Sequence, residues 1–335
     1  MSTISVIIPS YNREQFIAAT LDNLLQQTRP ADEIIVVDDG SSDNTVAVAR
    51  TFEPRGVRVF QQEHKGPGAA RNLGLRNSTG KLISFFDSDD LASLNKLESQ
   101  ARALEENNAD IAYGPWVKVF ISENRVRCEN VVLQQRALPP DLPLHFAIWR
   151  GWFSVFQPCL FRRSFLESAG EYREDLLPSE DVEFLFRMSL KNPRLVFTPD
   201  CLTIYRLHET NQITSHGTTR QQRVVDWANL LMLLQEQGKN LRPDFFTRIL
   251  AMTELWNTHN WLRQVGAENH ARAVEFRRRH PIHPSLFYRG IQFVRRVTLH
   301  VRGRLRGHRW GPLYSPGKLT QQQRTLIGAA GFTVE

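Results

Sequence analysis

The chain has 335 residues, of which 41% are hydrophobic, so it can form a substantial core, and a disordered protein is excluded. Its three cysteines, Cys128, Cys159 and Cys201, lie far apart without a CxxC pair, which argues against a disulfide framework and against a zinc site. No apolar run approaches the roughly 20 residues that cross a bilayer, and the first residues do not resemble a secretory signal. We therefore expect a cytoplasmic protein.

Strands and helices alternate along the first 115 residues. Short apolar segments predict strands at residues 4–9, 32–40, 57–62, 81–87 and 110–120. Apolar side chains at helical spacing predict helices at residues 13–28, 42–52, 66–78 and 94–108. Strands joined by helices of this length form right-handed crossovers, so we expect an α/β fold with a mainly parallel sheet.

The alternation weakens beyond residue 120. A proline-rich stretch predicts a loop at 130–145, followed by a short strand and a helix at 154–170, a helix at 179–192 and a strand at 201–208. From residue 217 the pattern is helical, at 219–237, 243–263 and 267–279. The chain is therefore expected to have two parts, an α/β domain at 1–215 and a helical, arginine-rich region at 216–335.

Three carboxylates, Asp87, Asp89 and Asp90, occur together in the stretch FFDSDD at residues 85–90. Acidic groups this close repel one another, and a solvent-exposed turn is one way to tolerate them. The preceding apolar run is instead typical of a strand buried on both faces, and ligands of open α/β sheets bind at the carboxyl ends of such strands. Clustered oxygen donors there suit Mn²⁺ or Mg²⁺, with coordination positions left for the oxygens of a diphosphate.

Two other predicted strands also end in polar or aromatic side chains. Pro9 and Tyr11 belong to IIPSYN at the end of the first strand, where an ordinary strand end is the alternative interpretation. Asp38 and Asp39 belong to VVDDGSSDN after the second strand. A carboxylate there can accept hydrogen bonds from a base or a ribose, or it can cap the following helix.

Two helix starts carry charged residues. Arg71 lies in HKGPGAARNLG, close to a helix N-terminus that attracts anions, and a surface salt bridge is the alternative role. Glu180 and Asp181 lie in the first turn of the helix in PSEDVEFLFR. The helix dipole alone can account for these acids, or one of them is a general base.

Together these motifs resemble the inverting family 2 glycosyltransferases. The resemblance rests on the order and spacing of VIIPSYNRE, VVDDGSSDNT, GPGAARNLGL, FFDSDD and SEDVEFLFR, and it covers about residues 3–212. It implies the GT-A fold, a mainly parallel sheet flanked by helices, here with a helical C-terminal extension. It also implies a nucleotide-sugar donor, usually UDP-linked, a glycan or lipid-linked acceptor, and Mn²⁺ or Mg²⁺.

The resemblance also implies roles for individual residues. The nucleotide would contact Pro9, Tyr11, Asp39, Arg71, Asp87 and Asp89. Asp87 and Asp89 form the DxD element that holds the metal, with Asp90 beside them, and Asp181 is the general base with Glu180 beside it. In YRLHETN, Arg206 or His208 would approach the diphosphate or the metal. Independently of the resemblance, the aromatic stretch IWRGWFS offers Trp152 for stacking on an acceptor sugar, with a place in the core as the alternative.

Other functional classes fit the sequence less well. An NAD-dependent oxidoreductase would need a glycine fingerprint after the first strand, and a sugar nucleotidyltransferase would need a glycine-rich first loop. The first strand is followed by PSYNRE instead. A non-catalytic protein that binds a sugar nucleotide, or a scaffold, stays open as the alternative.

The positive charge is concentrated in one segment. Residues 271–310 contain eleven arginines and one acid, Glu275, and therefore carry a charge of +10. The whole chain carries +7, so the remaining residues sum to −3. Residues 286–306 combine apolar and arginine positions at helical spacing, as in helices that lie on anionic membranes. We expect peripheral contact with the inner face of the cell membrane, or a helix packed on the catalytic domain. No nucleic-acid-binding motif accompanies the arginines.

Overall fold

The computed structural model describes residues 1–122, 125–149, 152, 155–176, 180–208, 229–234, 236–242, 317–330 and 332. The chain divides into two compact units. The first comprises Met1–Asp141, Ser154–His216 and Ser315–Glu335, and the second comprises Leu142–Phe153 and Gly217–Tyr314. The two-part division at residue 215 remains a prediction.

The first unit contains most of the described helices and strands. Its strands are β1 (Ile4–Ser10), β2 (Glu33–Asp38), β3 (Val57–Gln61), β4 (Leu82–Phe85), β5 (Leu91–Ala92), β6 (Ile111–Tyr113), β7 (Trp116–Ser122), β8 (Arg125–Leu133), β9 (Cys159–Arg162), β10 (Leu195–Phe197) and β11 (Thr203–His208). Its helices are α1 (Ile17–Leu25), α2 (Thr45–Arg50), α3 (Pro67–Arg76), α4 (Lys96–Glu106), α6 (Arg163–Ala169), α7 (Glu180–Ser189) and α8 (Gln321–Ala329). In the second unit, α5 spans Leu144–Trp149.

Seven of the described strands form the central sheet, in the order β10-β6-β9-β4-β1-β2-β3. All neighbours in this sheet are parallel except β9, which runs antiparallel between β4 and β6. This confirms the expected α/β fold with a mainly parallel sheet flanked by helices. Because β1, β2 and β4 are parallel, their carboxyl ends lie at one edge of the sheet.

Strand β2 shows why the central strands have almost continuous apolar sequences. Ile34 and Val36 belong to the core cluster that includes Leu21 of α1 and Ala49 of α2. Ile35 and Val37 belong to a separate cluster that includes Ala70 of α3. Alternate side chains of one strand thus contact helices on opposite faces of the sheet. Burial of each such side chain stabilises the fold by about 1.5–3 kcal/mol.

The predicted single strand at 110–120 is wrong, because this segment forms two strands in different sheets. β6 belongs to the central sheet, and β7 belongs to a four-stranded sheet with the order β5-β11-β7-β8. Gly114 and Pro115 separate them. A β-carbon on Gly114 would lie 3.0 Å from the Sγ of Cys201, so a larger residue at this crossing would require its neighbours to shift. Pro115 has no N–H to continue a ladder.

The predicted loop at 130–145 is also partly wrong. Its first residues belong to β8, which pairs antiparallel with β7 as far as Leu133. A short bridge between Val132 and Gly317 then brings the end of the chain onto this smaller sheet. Helix α8 follows with a capping box between Thr320 and Gln323, and its Ile327 is buried in the cluster under the sheet.

The second unit is described only in part. Residues 229–234 and 236–237 are helical, and the buried Trp152 donates its backbone N–H to the carbonyl of Ala147 at 3.0 Å. The predicted helices at 243–263 and 267–279 and the basic segment 286–306 lie outside the described residues. Within the described part of the chain, every helix is too short or too polar to cross a bilayer.

Candidate functional site

The carboxyl ends of β1, β2 and β4 are tied together by backbone hydrogen bonds. The N–H of Asp39 donates to the carbonyl of Ser10 at 2.8 Å, and the N–H of Phe86 donates to the carbonyl of Ile7 at 2.9 Å. These contacts set the loops after the three strands side by side, as the parallel sheet predicts. Most of the residues singled out in the sequence lie on these loops or on α3, α7 and β11, which adjoin them.

The three acids of the DxD element form one cluster. Asp87, Asp89 and Asp90 each offer a carboxylate oxygen, and these oxygens lie within 4.8 Å of one another. Burial raises the pKa of Asp87, and Asp89 adds to the shift although Arg71 opposes it. Burial, Asp89 and Asp87 raise the pKa of Asp90 well above its ordinary value. The repulsion expected from the sequence is therefore present in the folded protein.

Asp89 is the one acid of the cluster whose pKa the folded protein lowers. Arg13 donates its Nε–H to the Oδ2 of Asp89 at 2.8 Å, and the Nε2 of His208 lies 3.0 Å from the same oxygen. The ring of Phe16 stacks on His208 with centroids 4.1 Å apart. Burial raises the pKa of Asp89, but the hydrogen bond with His208 and the charge of Arg13 outweigh it and bring the pKa below its ordinary value.

Sequence reasoning missed Arg13. The position of this residue, two places after Tyr11 at the end of a central strand, is the signal that could have identified it. The positive charge of Arg13 also offsets part of the repulsion among the three acids, because it pairs with Asp89.

Arg206 and Asp90 link β11 to the acid cluster. The backbone N–H of Arg206 donates to the Oδ1 of Asp90 at 2.9 Å. The guanidinium of Arg206 donates to the backbone carbonyl of Asp89 and, at 2.9 Å, to the hydroxyl of Thr20 on α1. Both residues are buried. These contacts hold the DxD loop in place, and the predicted approach of Arg206 to a diphosphate remains a prediction.

The acid cluster fits a divalent cation. Three hard carboxylate ligands converge from one loop, which is the donor chemistry that Mn²⁺ and Mg²⁺ prefer. The Oδ2 of Asp90 is buried and has no hydrogen-bond partner among the described residues, and a bound cation or a water would complete its interactions. Asp87 and Asp89 are suited to hold the ion with Asp90 beside them, and His208 already contacts Asp89.

Arg71 joins the acid cluster to the start of α7. It donates to the Oδ1 of Asp87 at 3.0 Å and to the Oε1 of Glu180 at 2.9 Å. The ring of Tyr172 lies 5.5 Å from the guanidinium. The alternative that Arg71 makes a surface salt bridge is wrong, because its side chain is 8% exposed. Sequence segments more than 100 residues apart thus meet at one guanidinium.

Asp181 follows Glu180 in the first turn of α7. Its side chain is partly buried, and its Oδ1 accepts the backbone N–H of Val182 at 2.8 Å. Burial and the neighbouring Glu180 raise the pKa of Asp181 to about 7, against the opposing charge of Arg71. A carboxyl group with this pKa changes protonation state near neutral pH, which is the property that a general base needs.

Asp39, Tyr11 and Pro9, which are predicted to contact the nucleoside, differ from one another in burial and in their contacts. The carboxylate of Asp39 accepts the backbone N–H groups of Lys65 and Gly66, both at 2.8 Å, and therefore fixes the loop that leads into α3. Tyr11 is 37% exposed and stacks on His64 with ring centroids 4.3 Å apart. Pro9 is buried within β1, in register with Val37 of β2. Their nucleotide contacts remain predictions.

Gln157 is a further residue at the site that sequence reasoning missed. Its side-chain amide donates to the Oδ2 of Asp87. The antiparallel direction of β9 explains this contact, because Arg162 pairs with Leu82 and the start of β9 therefore lies beside the carboxyl end of β4. Trp152 belongs to the second unit, and its predicted acceptor contact remains a prediction.

The sequence matches known glycosyltransferases. The model for glycosyl transferase family 2 matches residues 5–169. The Escherichia coli UDP-Glc:alpha-D-GlcNAc-diphosphoundecaprenol beta-1,3-glucosyltransferase WfgD is 40% identical over 176 residues, which cover 46% of this chain and 70% of that protein. An uncharacterized glycosyltransferase of Rickettsia felis is 39% identical over 117 residues, 35% of this chain and 19% of its own length. The chain therefore matches only part of some longer relatives.

Solved structures share the fold at lower identity. S. aureus TarS 1-349 in complex with UDP-GlcNAc superposes with a TM-score of 0.65 at 22% identity, covering 82% of this chain and 79% of that fragment. The mannosyltransferase PcManGT of Pyrobaculum calidifontis, in complex with GDP-Man and Mn²⁺, gives 0.57 at 19% identity, covering 98% and 86%. These likenesses identify the fold as GT-A. The E. coli relative and the family match show that the chain belongs to glycosyltransferase family 2.

Proposed function

We propose that this protein is an inverting, metal-dependent glycosyltransferase that moves a sugar from a UDP-linked donor to an acceptor hydroxyl. The observation that carries the proposal is that Arg71 donates hydrogen bonds to both Asp87 and Glu180, and so bridges the acid cluster and the start of α7. This bridge sets Asp181, with its pKa of about 7, next to a cluster of acids suited to a diphosphate-bound cation. The proposed proton acceptor and the proposed leaving-group site would thus be linked through Arg71.

The reaction follows as one displacement. Asp181 accepts the proton of the acceptor hydroxyl while the acceptor oxygen forms a bond to the anomeric carbon. The bond from that carbon to the diphosphate breaks, and its electron pair leaves with the nucleoside diphosphate. Because the acceptor attacks opposite the leaving group, a single displacement inverts the anomeric configuration. Arg71 keeps Asp87 oriented throughout.

A divalent cation, when bound, would neutralise the negative charge that develops on the departing diphosphate. Asp87 and Asp89 would hold it, with His208 close to Asp89. PcManGT, which shares the fold, was solved with GDP-Man and Mn²⁺. We therefore propose Mn²⁺ or Mg²⁺ as the cofactor.

The donor and acceptor classes are proposed from the E. coli relative. Its name specifies a UDP-linked glucose donor and a lipid-diphosphate-linked acceptor. On this basis we propose a UDP-linked donor and a glycan or lipid-linked acceptor in cell-surface polysaccharide or glycolipid synthesis. The basic segment 286–306 would hold the enzyme at the anionic inner face of the cell membrane, where such an acceptor is anchored.

A panel of UDP- and GDP-sugars with Mn²⁺ tests this function through the release of free nucleotide. We expect the protein to release UDP from at least one UDP-sugar, faster when lipid-linked acceptors are added. Tight binding of UDP-sugars without any release, in the presence of acceptors, would instead indicate the non-catalytic binding protein or scaffold.

A further inference from the structure

We propose that the hydroxyl of Tyr172 and the side-chain carbonyl of Gln157 together recognise a hydroxyl group of the transferred sugar. This inference rests on the proposed function and deepens it, because it assigns residues that select the sugar and are not among the nucleotide, metal or base residues predicted from the sequence.

Tyr172 presents a buried hydroxyl without a partner. The residue is 3% exposed, and its Oη has no hydrogen-bond partner in the described part of the chain. A buried polar group of this kind is rare unless it binds a ligand or water. Burial raises the pKa of the phenol well above its ordinary value, and Asp181 and Glu180 add to the shift against the opposing charge of Arg71. The hydroxyl therefore stays protonated and can both donate and accept.

The position of Tyr172 is fixed by its surroundings. Asn72 accepts the backbone N–H of Tyr172 at 2.8 Å and donates to its backbone carbonyl at 3.0 Å. The ring packs 4.2 Å from Phe184 and 5.3 Å from Phe85, centroid to centroid. Because the backbone and the ring are both held, Oη cannot move to reach another protein partner, and its position is preorganised for a ligand.

Gln157 supplies a second polar group of the same kind. Its amide donates to Asp87, and its Oε1 is buried without a hydrogen-bond partner among the described residues. Phe156, the preceding residue, packs 5.9 Å from the ring of Tyr172. The two side chains therefore belong to one cluster around Asp87 and Arg71. The Nε of Arg71 also lacks a hydrogen-bond partner there.

These groups match a sugar hydroxyl better than they match other parts of the donor. The carbonyl of Gln157 only accepts hydrogen bonds, the Nε–H of Arg71 only donates, and the hydroxyl of Tyr172 does both. A diphosphate only accepts and would leave Gln157 unpaired. A sugar hydroxyl donates to one group and accepts from another, so it can satisfy this set. A buried water has the same capacity and is the competing occupant.

The test compares how Tyr172→Phe and Gln157→Leu bind UDP and UDP-sugars. Calorimetry with Mn²⁺ gives the dissociation constants of UDP, UDP-glucose and UDP-GlcNAc for each variant. We expect Tyr172→Phe to weaken binding of the preferred UDP-sugar roughly tenfold, which is about 1.4 kcal/mol, and to leave UDP binding within about twofold. Gln157→Leu should show the same selective loss. Gln157→Leu also removes the hydrogen bond to Asp87, a proposed metal ligand. The Mn²⁺ affinity of this variant is therefore measured in parallel by electron paramagnetic resonance.

Tyr113→Phe is the matched control. Tyr113 is equally buried, but its hydroxyl accepts the backbone N–H of Leu138 at 2.7 Å. This variant should lose stability without changing the ratio of UDP-sugar to UDP affinity. A deoxy-sugar donor that lacks the recognised hydroxyl should bind the wild-type protein and Tyr172→Phe equally well.

Two outcomes separate the failure of this inference from failure of the proposed function. If wild-type protein turns over a UDP-sugar, but Tyr172→Phe and Gln157→Leu keep the wild-type affinity ratio, the groups hold structural water and the inference is wrong. If the wild-type protein binds neither UDP nor any UDP-sugar, the proposed function fails, and the inference fails with it.

Discussion

The Nε of Arg13 lies 2.8 Å from the Oδ2 of Asp89, and the two side chains are only 10% and 12% exposed. This buried ion pair joins the turn after β1 to the DxD loop, 76 residues further along the chain. Since Asp89 is also a predicted metal ligand, the same contact bears on stability and on cation binding.

We predict that Arg13→Gln destabilises the protein by about 3 kcal/mol, because removal of one partner leaves a buried charge with less compensation. Saturating Mn²⁺ should recover part of the loss, since the cation offsets the charge of Asp89. Thermal denaturation with and without Mn²⁺ measures both effects. Arg55→Gln is the control, because its ion pair with Asp22 is 46% exposed on both sides and should contribute under about 1 kcal/mol. Equal losses in the two variants would contradict the prediction.

Asp181→Asn should lower the rate of transfer by roughly 10²–10⁴, because asparagine keeps the size of the side chain but cannot take up a proton. UDP affinity should barely change. Glu180→Gln is expected to be milder, since its amide oxygen can still accept the bond from Arg71. Steady-state kinetics of UDP release separates the two variants. If Glu180→Gln abolished transfer and Asp181→Asn did not, the base would be the other residue.

The pH dependence of the transfer rate should follow the ionisation of the Asp181 carboxyl group. The base must be ionised, so kcat/KM should rise about tenfold per pH unit below the pKa of about 7 and level off above it. An activity that stays constant between pH 5 and 8 would contradict this assignment.

Stability should depend on pH in the opposite sense. A raised carboxyl pKa means that the folded protein favours the protonated form, so stability is lost as pH rises toward and through about 7. Asp181→Asn, which mimics the protonated form, should therefore gain more stability relative to wild type at pH 8 than at pH 5. Melting temperatures at the two pH values test this directly.

Chelation of divalent cations should abolish transfer, and Mn²⁺ or Mg²⁺ should restore it. Asp89→Asn should weaken Mn²⁺ binding, measured by electron paramagnetic resonance, because the variant loses a carboxylate of the cluster. Asp22→Asn, at an exposed side chain, is the control and should bind Mn²⁺ like wild type. Transfer that persists unchanged after thorough chelation would rule out the metal requirement.

The basic segment should bind anionic vesicles. A full-length variant with Arg295, Arg296, Arg302 and Arg306 changed to glutamine should float less with phosphatidylglycerol vesicles than wild type. Each arginine near anionic lipid contributes about 1 kcal/mol, so the loss should be large and salt-dependent. Equal flotation of the two proteins would favour the alternative, a helix packed on the catalytic domain.

Much of the fold could be predicted from local sequence patterns. The first four strands and the helices between them follow from apolar periodicity, and the position of Asp87 and Asp89 after β4 follows from the end of an apolar run. Sequence reasoning did not predict the split at Gly114. The segments before and after this residue are both apolar, so hydrophobicity alone does not show that they join different sheets.

Sequence reasoning missed Gln157 and Arg13 for the same physical reason. Gln157 reaches Asp87 because β9 enters the sheet antiparallel, and strand direction is set by long-range pairing. Arg13 reaches Asp89 because β1 and β4 are neighbours in space. Sequence motifs identified the acids themselves, whereas their partners depend on which strands lie side by side.

The separation between Asp89 and His208 along the chain has a consequence for the nascent protein. The two residues are 119 positions apart, and Arg206 is almost as distant. At about 5–20 residues per second, the ribosome exposes the acid loop roughly 6–24 s before β11 emerges to cover it. During that interval the acids of the DxD loop lack these contacts, so we expect the loop to reach its final arrangement only after β11 has been synthesised.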